Sequence, residues 1–269
     1  MKIMADNTLQ PRVSIVTPSF NQGRYLEQTM LSVLQQDYPN IEYIVIDGGS
    51  IDNSVEIIRR HESRLGYWIS ERDRGQTEAI NKGFAHAHGE ILAWLNSDDV
   101  YNPGAVSAAV KFLIETPDIG MVYGDLDFIN EDGRLIGRFN AAQTDLKKLR
   151  RGFVHIPQPA AFFRAAHWRQ VGPLDPDYFF AMDYDLWVRL AGVTRLKYLP
   201  GKSWAKFRLH SDAKTINADD RCWPEMLRVH YRDGGTFLSA IVFKYYLRKL
   251  FSPVITWRRR RLFDKEDAG

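Results

Sequence analysis

Gly89-Glu90-Ile91-Leu92-Ala93-Trp94-Leu95-Asn96-Ser97-Asp98-Asp99 is the stretch on which the fold turns. Ile91 to Leu95 is an apolar run of strand length that stops at polar residues and two adjacent carboxylates. Pro103 and Gly104 follow and mark a turn or a helix start. In an open α/β sheet, ligands bind beyond the carboxyl ends of the strands, so a site is expected here. Asp98 and Asp99 would repel each other unless something positive neutralised them. A hard divalent cation, Mg²⁺ or Mn²⁺, with a phosphate on its far side answers that need. Taken alone, the pair reads more simply as a solvated loop or a helix cap, so the rest of the chain must decide.

Toward the amino terminus, Val13-Ser14-Ile15-Val16-Thr17-Pro18 reads as a strand stopped by Pro18. Ser19-Phe20-Asn21-Gln22-Gly23-Arg24 turns into a helix from Tyr25 to Gln36, with Leu26, Met30, Val33 and Leu34 at helical spacing. Ile41 to Ile46 is a second strand, ending in Asp47-Gly48-Gly49-Ser50-Ile51-Asp52, and a helix follows from about Ser54 to His61. This βαβ order with short loops predicts a parallel sheet covered on both faces. The first turn lacks the three-glycine dinucleotide fingerprint, which argues against a nicotinamide fold. Asp47 at a strand end can accept from a ribose hydroxyl or a base N–H while Gly48 and Gly49 admit the ligand; a plain tight turn is the alternative. Tyr67 to Ser70 is a short strand, and a helix is expected over Glu78 to His88 with Gly83 giving close packing. Between them, Arg72, Asp73, Arg74 and Gln76 suit a nucleotide and its phosphates, and Asn81 and Lys82 on the helix could face the same site.

Toward the carboxyl terminus, Ala105 to Thr116 reads as a helix and Ile119 to Asp125 as a strand that places Asp125 near its carboxyl end. Asn130-Glu131-Asp132-Gly133 is a hairpin-type turn, so the sheet is expected to change from parallel to antiparallel. Residues 140–157 are basic and irregular, and Ala160 to Arg164 is a short strand. Asp183 stands at the start of a helix that buries Leu186, Trp187 and Leu190. Near a helix N-terminus a carboxylate stays ionised and available as a general base, although a plain cap reads equally well. Lys197 to Pro200 and Ser203 to His210 look like two edge strands running into Ser211-Asp212-Ala213-Lys214-Thr215. His210 and Lys214 could finish a metal and diphosphate site.

The 269 residues suffice for one large α/β domain, alone or with an appended segment. A net charge of +3 gives no global basic field, so nucleic acid is not an expected partner. Cys222 is the sole cysteine, which excludes an internal disulfide framework and a cysteine zinc cluster and fits a reducing compartment. No secretory signal and no run of 18 apolar residues is read, so a cytoplasmic setting is expected. Residues 237–263 contain no acid and interleave aromatics with Lys244, Arg248, Lys249 and Arg258 to Arg261. Such a segment suits peripheral attachment to the inner face of the plasma membrane; a packed helix or a partner contact is the alternative.

Read together, these motifs resemble those of the family 2 glycosyltransferases, whose nucleotide-diphospho-sugar transferase fold is of the GT-A type. The resemblance covers residues 13 to about 220. It implies an α/β fold with a mostly parallel, Rossmann-like sheet, helices on both faces and a small antiparallel part. It divides the chain into a tail (1–12), a nucleotide-sugar half (13–125), an acceptor half (126–220) and a helical basic segment (221–269). Pro18, Phe20 and Asn21 match the family's first nucleotide-binding loop, and Asp47, Gly48 and Asp52 its base- and ribose-binding motif. Many members have an Asp where Gly48 stands, a departure that weakens the case for a UDP-linked donor. Asp73, Arg74, Gln76, Asn81 and Lys82 match a variant common among bacterial cell-surface polysaccharide enzymes. Asn96-Ser97-Asp98-Asp99 is similar to the metal motif called DXD, which implies Asp98 on ribose or metal and Asp99 on the metal. Met182-Asp183-Tyr184-Asp185 resembles the Glu-Asp catalytic motif with Asp183 kept as base, and Arg208-Leu209-His210 the segment that closes over the diphosphate.

The implied activity is inverting, Mn²⁺- or Mg²⁺-dependent transfer from a nucleoside-diphospho-sugar to a saccharide or lipid-linked saccharide. Tyr178, Phe179 and Phe180 could stack on the acceptor, and the reading leaves room for a homo-oligomer. A non-catalytic nucleotide-sugar-binding module and a sugar-phosphate nucleotidyltransferase are the rival readings. The second lacks its usual Gly-rich loop with Lys or Arg.

Overall fold

The computed structural model describes residues 10–210 and 219–250, without the side chains of 219–221. Strands β1 (Val13–Ser19), β2 (Ile41–Asp47), β3 (Tyr67–Ser70) and β4 (Ile91–Trp94) are mutually parallel, in the order β3-β2-β1-β4. Helices α1 (Gly23–Leu34), α2 (Ser54–Arg60) and α3 (Gln76–Ala85) connect them. Ser19 pairs with Asp47 and Asp47 with Ser70, so three strands end level and their following loops gather along one edge. Side chains alternate across the pleat. Ile15, Tyr43, Val45 and Ala93 pack on one face with Leu26, Met30 and Ile57, while Val16, Ile44, Ile46 and Trp94 pack on the other with Ile80 and Phe84. A Cβ at Gly83 would overlap the Val16 side chain, so glycine there lets α3 lie close on β1. Helix α3 starts at Gln76, earlier than expected, because Glu78 and Ala79 already donate back to the Gly75 carbonyl.

The second half comprises β5 (Val100–Tyr101), α4 (Ala105–Glu115), β6 (Ile119–Ile129), β7 (Leu135–Phe139), α5 (Leu146–Arg150), β8 (Ala161–Arg164), α6 (Ala165–Val171), α7 (Met182–Val193), β9 (Arg195–Arg208) and α8 (Asp219–Arg232). Residues 240–250 are also helical. The sheet continues from β4 as β8-β6-β9-β5, with β7 on β6 through the expected turn at 130–133. Strand β8 runs antiparallel to both β4 and β6 and marks the change of direction.

Two local expectations are corrected. Strand β6 continues to Ile129, since Leu126 and Ile129 are buried apolar positions, so Asp125 lies within the strand rather than at its end. The two expected edge strands are one strand, β9, which pairs with β6 on one side and β5 on the other. Pro200-Gly201 does not break it because shifts in register against β6 absorb the irregularity. Among the described residues no helix is long and apolar enough to cross a membrane.

Candidate active site

A cavity of about 1000 Å³ opens beyond the carboxyl ends of β1, β2 and β4. Pro18, Phe20, Gly48, Asp73, Arg74, Gln76 and Asp98 line it on the side of the parallel strands, and Phe179, Phe180 and Asp183 on the side of α7. Asn21, Asp47, Asp52, Asn81 and Lys82 do not line it; each is engaged within the protein.

Asp47 is fully buried and accepts from the N–H groups of Gly49 (3.2 Å) and Ser50 (2.9 Å) and from the hydroxyls of Ser50 and Ser70. It therefore shapes the glycine turn. Asn21, at φ 51°, accepts from the Ile51 N–H at 2.9 Å and its own N–H donates to Ser50 Oγ at 2.8 Å, joining the first two loops. Asp52 accepts from Gly23 N–H at 2.8 Å and Ser54 N–H at 3.0 Å, at the starts of α1 and α2. Asn81 exchanges two hydrogen bonds with the Leu174 backbone, 2.8 and 2.9 Å. Lys82 pairs with Glu71 at 2.9 Å and Glu78 at 3.4 Å.

The residues that do face the cavity form a connected polar floor. Gln76 Nε2 donates to Asn96 Oδ1 at 2.7 Å, and Gln158, also on the cavity, donates to the Trp94 carbonyl at 2.8 Å. Asp73 accepts from Gly75 N–H at 2.8 Å, and burial raises its pKa above the usual carboxylate value. Arg74 is largely exposed and pairs with Glu78 at 2.8 Å.

The two carboxylates that follow β4 point differently. Asp98 faces the cavity, with Oδ2 3.0 Å from His210 Nε2. Asp99 is fully buried and is not part of the cavity wall. Its Oδ1 accepts from Arg208 N–H at 3.1 Å and its Oδ2 from Asn96 Nδ2 at 3.3 Å. Burial first, and then the neighbouring Asp98, push its pKa well above the ordinary value. Arg208 binds the segment together: it is buried, donates to the Asp98 carbonyl at 3.0 Å and to Gln28 Oε1 at 2.6 Å, and lies over the Tyr25 ring at 4.7 Å. Among the described residues, no three His, Cys, Asp or Glu side chains gather at one point. The expected contributions of Ser211, Lys214 and Thr215 lie outside the described residues.

On the opposite wall, Asp183 occupies the first turn of α7, and its Oδ1 accepts from the Tyr184 N–H at 2.7 Å. Asp185, two residues on, is fully buried and paired with Arg189 and with Arg232 from α8. Glu225, also on α8, accepts from the N–H groups of Phe179, Phe180 and Ala181. Phe128, Phe139, Val154, Ile156, Phe207 and Met226 give the cavity an apolar lining. Sequence reasoning placed Arg208 in a segment closing over the diphosphate, whereas here it braces the Asp98-Asp99 turn, and it assigned no role to Gln158 or Glu225. The only available signal was Gln158 between two prolines next to a predicted strand.

A parallel β-sheet half that presents loops to a cavity is joined to a mixed half that carries an acidic helix start, the arrangement of the GT-A type. Residues 14–171 match the family model Glycosyl transferase family 2, and the chain belongs to that family. It is a glycosyltransferase. Uncharacterized glycosyltransferases of two Mycobacterium tuberculosis strains are 35% identical over 187 residues, 68% of this chain and 70% of theirs. One from Rickettsia typhi is 28% identical over 227 residues, 80% of this chain and 69% of its own. Among solved structures, S. aureus TarS 1–349 in complex with UDP-GlcNAc superposes with a TM-score of 0.70 at 17% identity, over 90% of this chain and 73% of that one. The mannosyltransferase PcManGT from Pyrobaculum calidifontis, in complex with GDP-Man and Mn²⁺, gives 0.60 at 19%, over 93% and 84%. These structural likenesses establish the GT-A fold.

Proposed function

We propose that the enzyme transfers a sugar, with inversion, from a nucleoside-diphospho-sugar to a hydroxyl of a saccharide or lipid-linked saccharide, with Asp183 as general base. The observation that carries this reading is that Asp98, from the end of β4, and Asp183, from the first turn of α7, line one cavity. The donor lies between Pro18, Phe20, Gly48, Asp73 and Gln76, with its diphosphate toward Asp98. The acceptor hydroxyl lies at Asp183. As that oxygen bonds to the anomeric carbon and the carbon–oxygen bond to the diphosphate breaks, its proton passes to the Asp183 carboxylate. One displacement without a covalent intermediate inverts the centre.

The adjacent Asp98 carboxylate and His210 imidazole fit a divalent ion, and the imidazole favours Mn²⁺ over Mg²⁺, which takes oxygen ligands. Bound there, such an ion would offset charge on the departing diphosphate. Asp99 serves beside them as a buried brace for Arg208 rather than as a ligand. That TarS was solved with UDP-GlcNAc and PcManGT with GDP-Man and Mn²⁺ supports a nucleotide-sugar and a metal.

The test is a screen of nucleoside-diphospho-sugars for binding and slow hydrolysis, with Mn²⁺, with Mg²⁺ and with a chelator, on wild type, Asp98→Ala and Asp183→Asn. Expected are metal-dependent binding lost in Asp98→Ala, and wild-type binding in Asp183→Asn with transfer reduced by about 10²–10⁴. No binding under any metal condition would overturn the donor site, and an active Asp183→Asn would overturn the base.

A further inference from the structure

We propose that the helix at 240–250 is a docking surface for an anionic lipid bilayer and that it sets the acceptor side of the cavity against the membrane. Phe243, Tyr246, Leu247 and Leu250 are all exposed, Phe243 by 66% and Leu250 by 72%. Their spacing of i, i+3, i+4 and i+7 puts them in one stripe along the helix. Ile241, on the opposite side, and Val242, on one flank, are buried and hold the helix to the domain. Phe237 and Leu238, just before the helix, are exposed as well. Turned to water, so continuous a patch is unfavourable, which marks it as a contact surface.

Charge identifies the occupant. Residues 237–250 contain Lys244, Arg248 and Lys249 and no carboxylate. Lys244 and Lys249 are exposed, and at 100° per residue they fall on either flank of the stripe. A second copy docked by this face would bring the lysines of both copies together, because a two-fold interface meets itself. An anionic headgroup layer instead accepts the lysines while the stripe enters the acyl boundary.

Position links the surface to the site. Lys244 Nζ lies 4.0 Å from the Phe153 ring centroid and Arg248 Cζ lies 5.9 Å from that of Trp223. Their chain neighbours Val154 and Cys222 line the cavity. The helix therefore flanks the apolar acceptor wall formed with Val154, Ile156 and Met226. Resting on the proposed transfer reaction, this selects a lipid-linked saccharide as acceptor: the bilayer delivers the lipid and the apolar wall receives the part next to the sugar.

Binding is measured first, with the full-length protein and no donor or acceptor, by flotation with vesicles of phosphatidylcholine alone and with 30% phosphatidylglycerol. Expected is binding at least ten-fold tighter to the anionic vesicles and weakened by salt. Phe243→Ser/Leu250→Ser should abolish it and Lys244→Glu/Lys249→Glu should reduce it at least ten-fold, with unchanged melting and donor binding. Absence of vesicle binding, equal binding by the stripe variant, or a dimer that the stripe variant dissolves would overturn the docking surface and leave the transfer reaction standing. Transfer is then compared between a lipid-linked saccharide in vesicles and a soluble analogue. A ten-fold loss confined to the vesicle acceptor in Phe243→Ser/Leu250→Ser supports the acceptor class, and an equal rate on both acceptors overturns it.

Discussion

Glu225 Oε2 accepts from the Ala181 N–H at 2.9 Å, two residues before Asp183. The same carboxylate accepts from Phe180 N–H at 2.7 Å and from Phe179 N–H at 3.1 Å. Backbone donors at a helix entry lack intrahelical partners, and the positive end of the helix favours an anion there. One side chain from α8 thus fixes the segment that carries the proposed base. Arg232 on α8 adds its pairing with buried Asp185, and Arg228 and Arg232 lie 5.6 and 5.9 Å from the Tyr178 ring centroid.

Glu225→Gln turns one acceptor oxygen into an amide that confronts backbone N–H groups. With charge-assisted bonds of about 1.5–3 kcal/mol at stake, kcat/KM for transfer should fall roughly 10- to 100-fold, chiefly through the acceptor KM. Donor affinity and slow donor hydrolysis should stay near wild type, and Glu225→Asp should recover part of the loss. Steady-state kinetics with both substrates varied checks this. Parallel loss of donor binding and melting temperature would reduce Glu225 to a general structural support.

Asp73 occupies the space over Gly48: a Cβ at Gly48 would stand 2.8 Å from Asp73 Oδ2. Where many relatives are expected to carry an Asp at the position of Gly48, this cavity receives its carboxylate from the loop between β3 and α3. Asp73→Asn should weaken donor binding about ten-fold, the scale of one hydrogen bond of roughly 1.4 kcal/mol. Gly48→Asp should weaken it at least as much by crowding two carboxylates, and Gly48→Asp/Asp73→Gly should regain part. Isothermal titration with the donor found in the screen measures all three. Wild-type affinity in Asp73→Asn would remove Asp73 from the donor site.

The parallel half of the fold was legible because its strands alternate across the sheet and its helices keep a 3.6-residue period. The site was legible as a neighbourhood only. A short polar residue at a strand end has the same chemistry whether it holds a ligand or a turn, and Asp47, Asn21, Asp52 and Asn81 make their hydrogen bonds here within the protein. Likewise Asp98 and Asp99 leave β4 where its alternation has ended, so nothing in the sequence shows which of them faces the cavity. Pro200-Gly201 reads as punctuation, and only pairing with β6 keeps β9 continuous through it. Glu225 was illegible for another reason: its partners lie more than 40 residues away, a relation set by packing alone.

Asp125, within β6, ties down that irregular part of β9: Tyr198 Oη donates to its Oδ1, and Gly201 N–H donates to its Oδ2 at 3.0 Å. Burial, and then the bond to Asp125, push the Tyr198 hydroxyl from 10 up to about 12. An unfolded tyrosine ionises near pH 10, so between pH 10 and 12 the unfolded chain holds fewer protons than the folded one. Stability from this group is therefore fully present below pH 10 and is lost as pH rises to 12. Tyr43, Tyr101, Tyr123 and Tyr184, pushed higher still by burial, act with the same sign. Phenolate absorbance and denaturant unfolding across pH 9–12 check the prediction. In Asp125→Asn, Tyr198 should titrate closer to 10 and the loss of stability in this window should be shallower, as it should be in Tyr198→Phe. An Asp125→Asn protein with an unchanged Tyr198 titration would mean that the hydrogen bond does not govern the tyrosine.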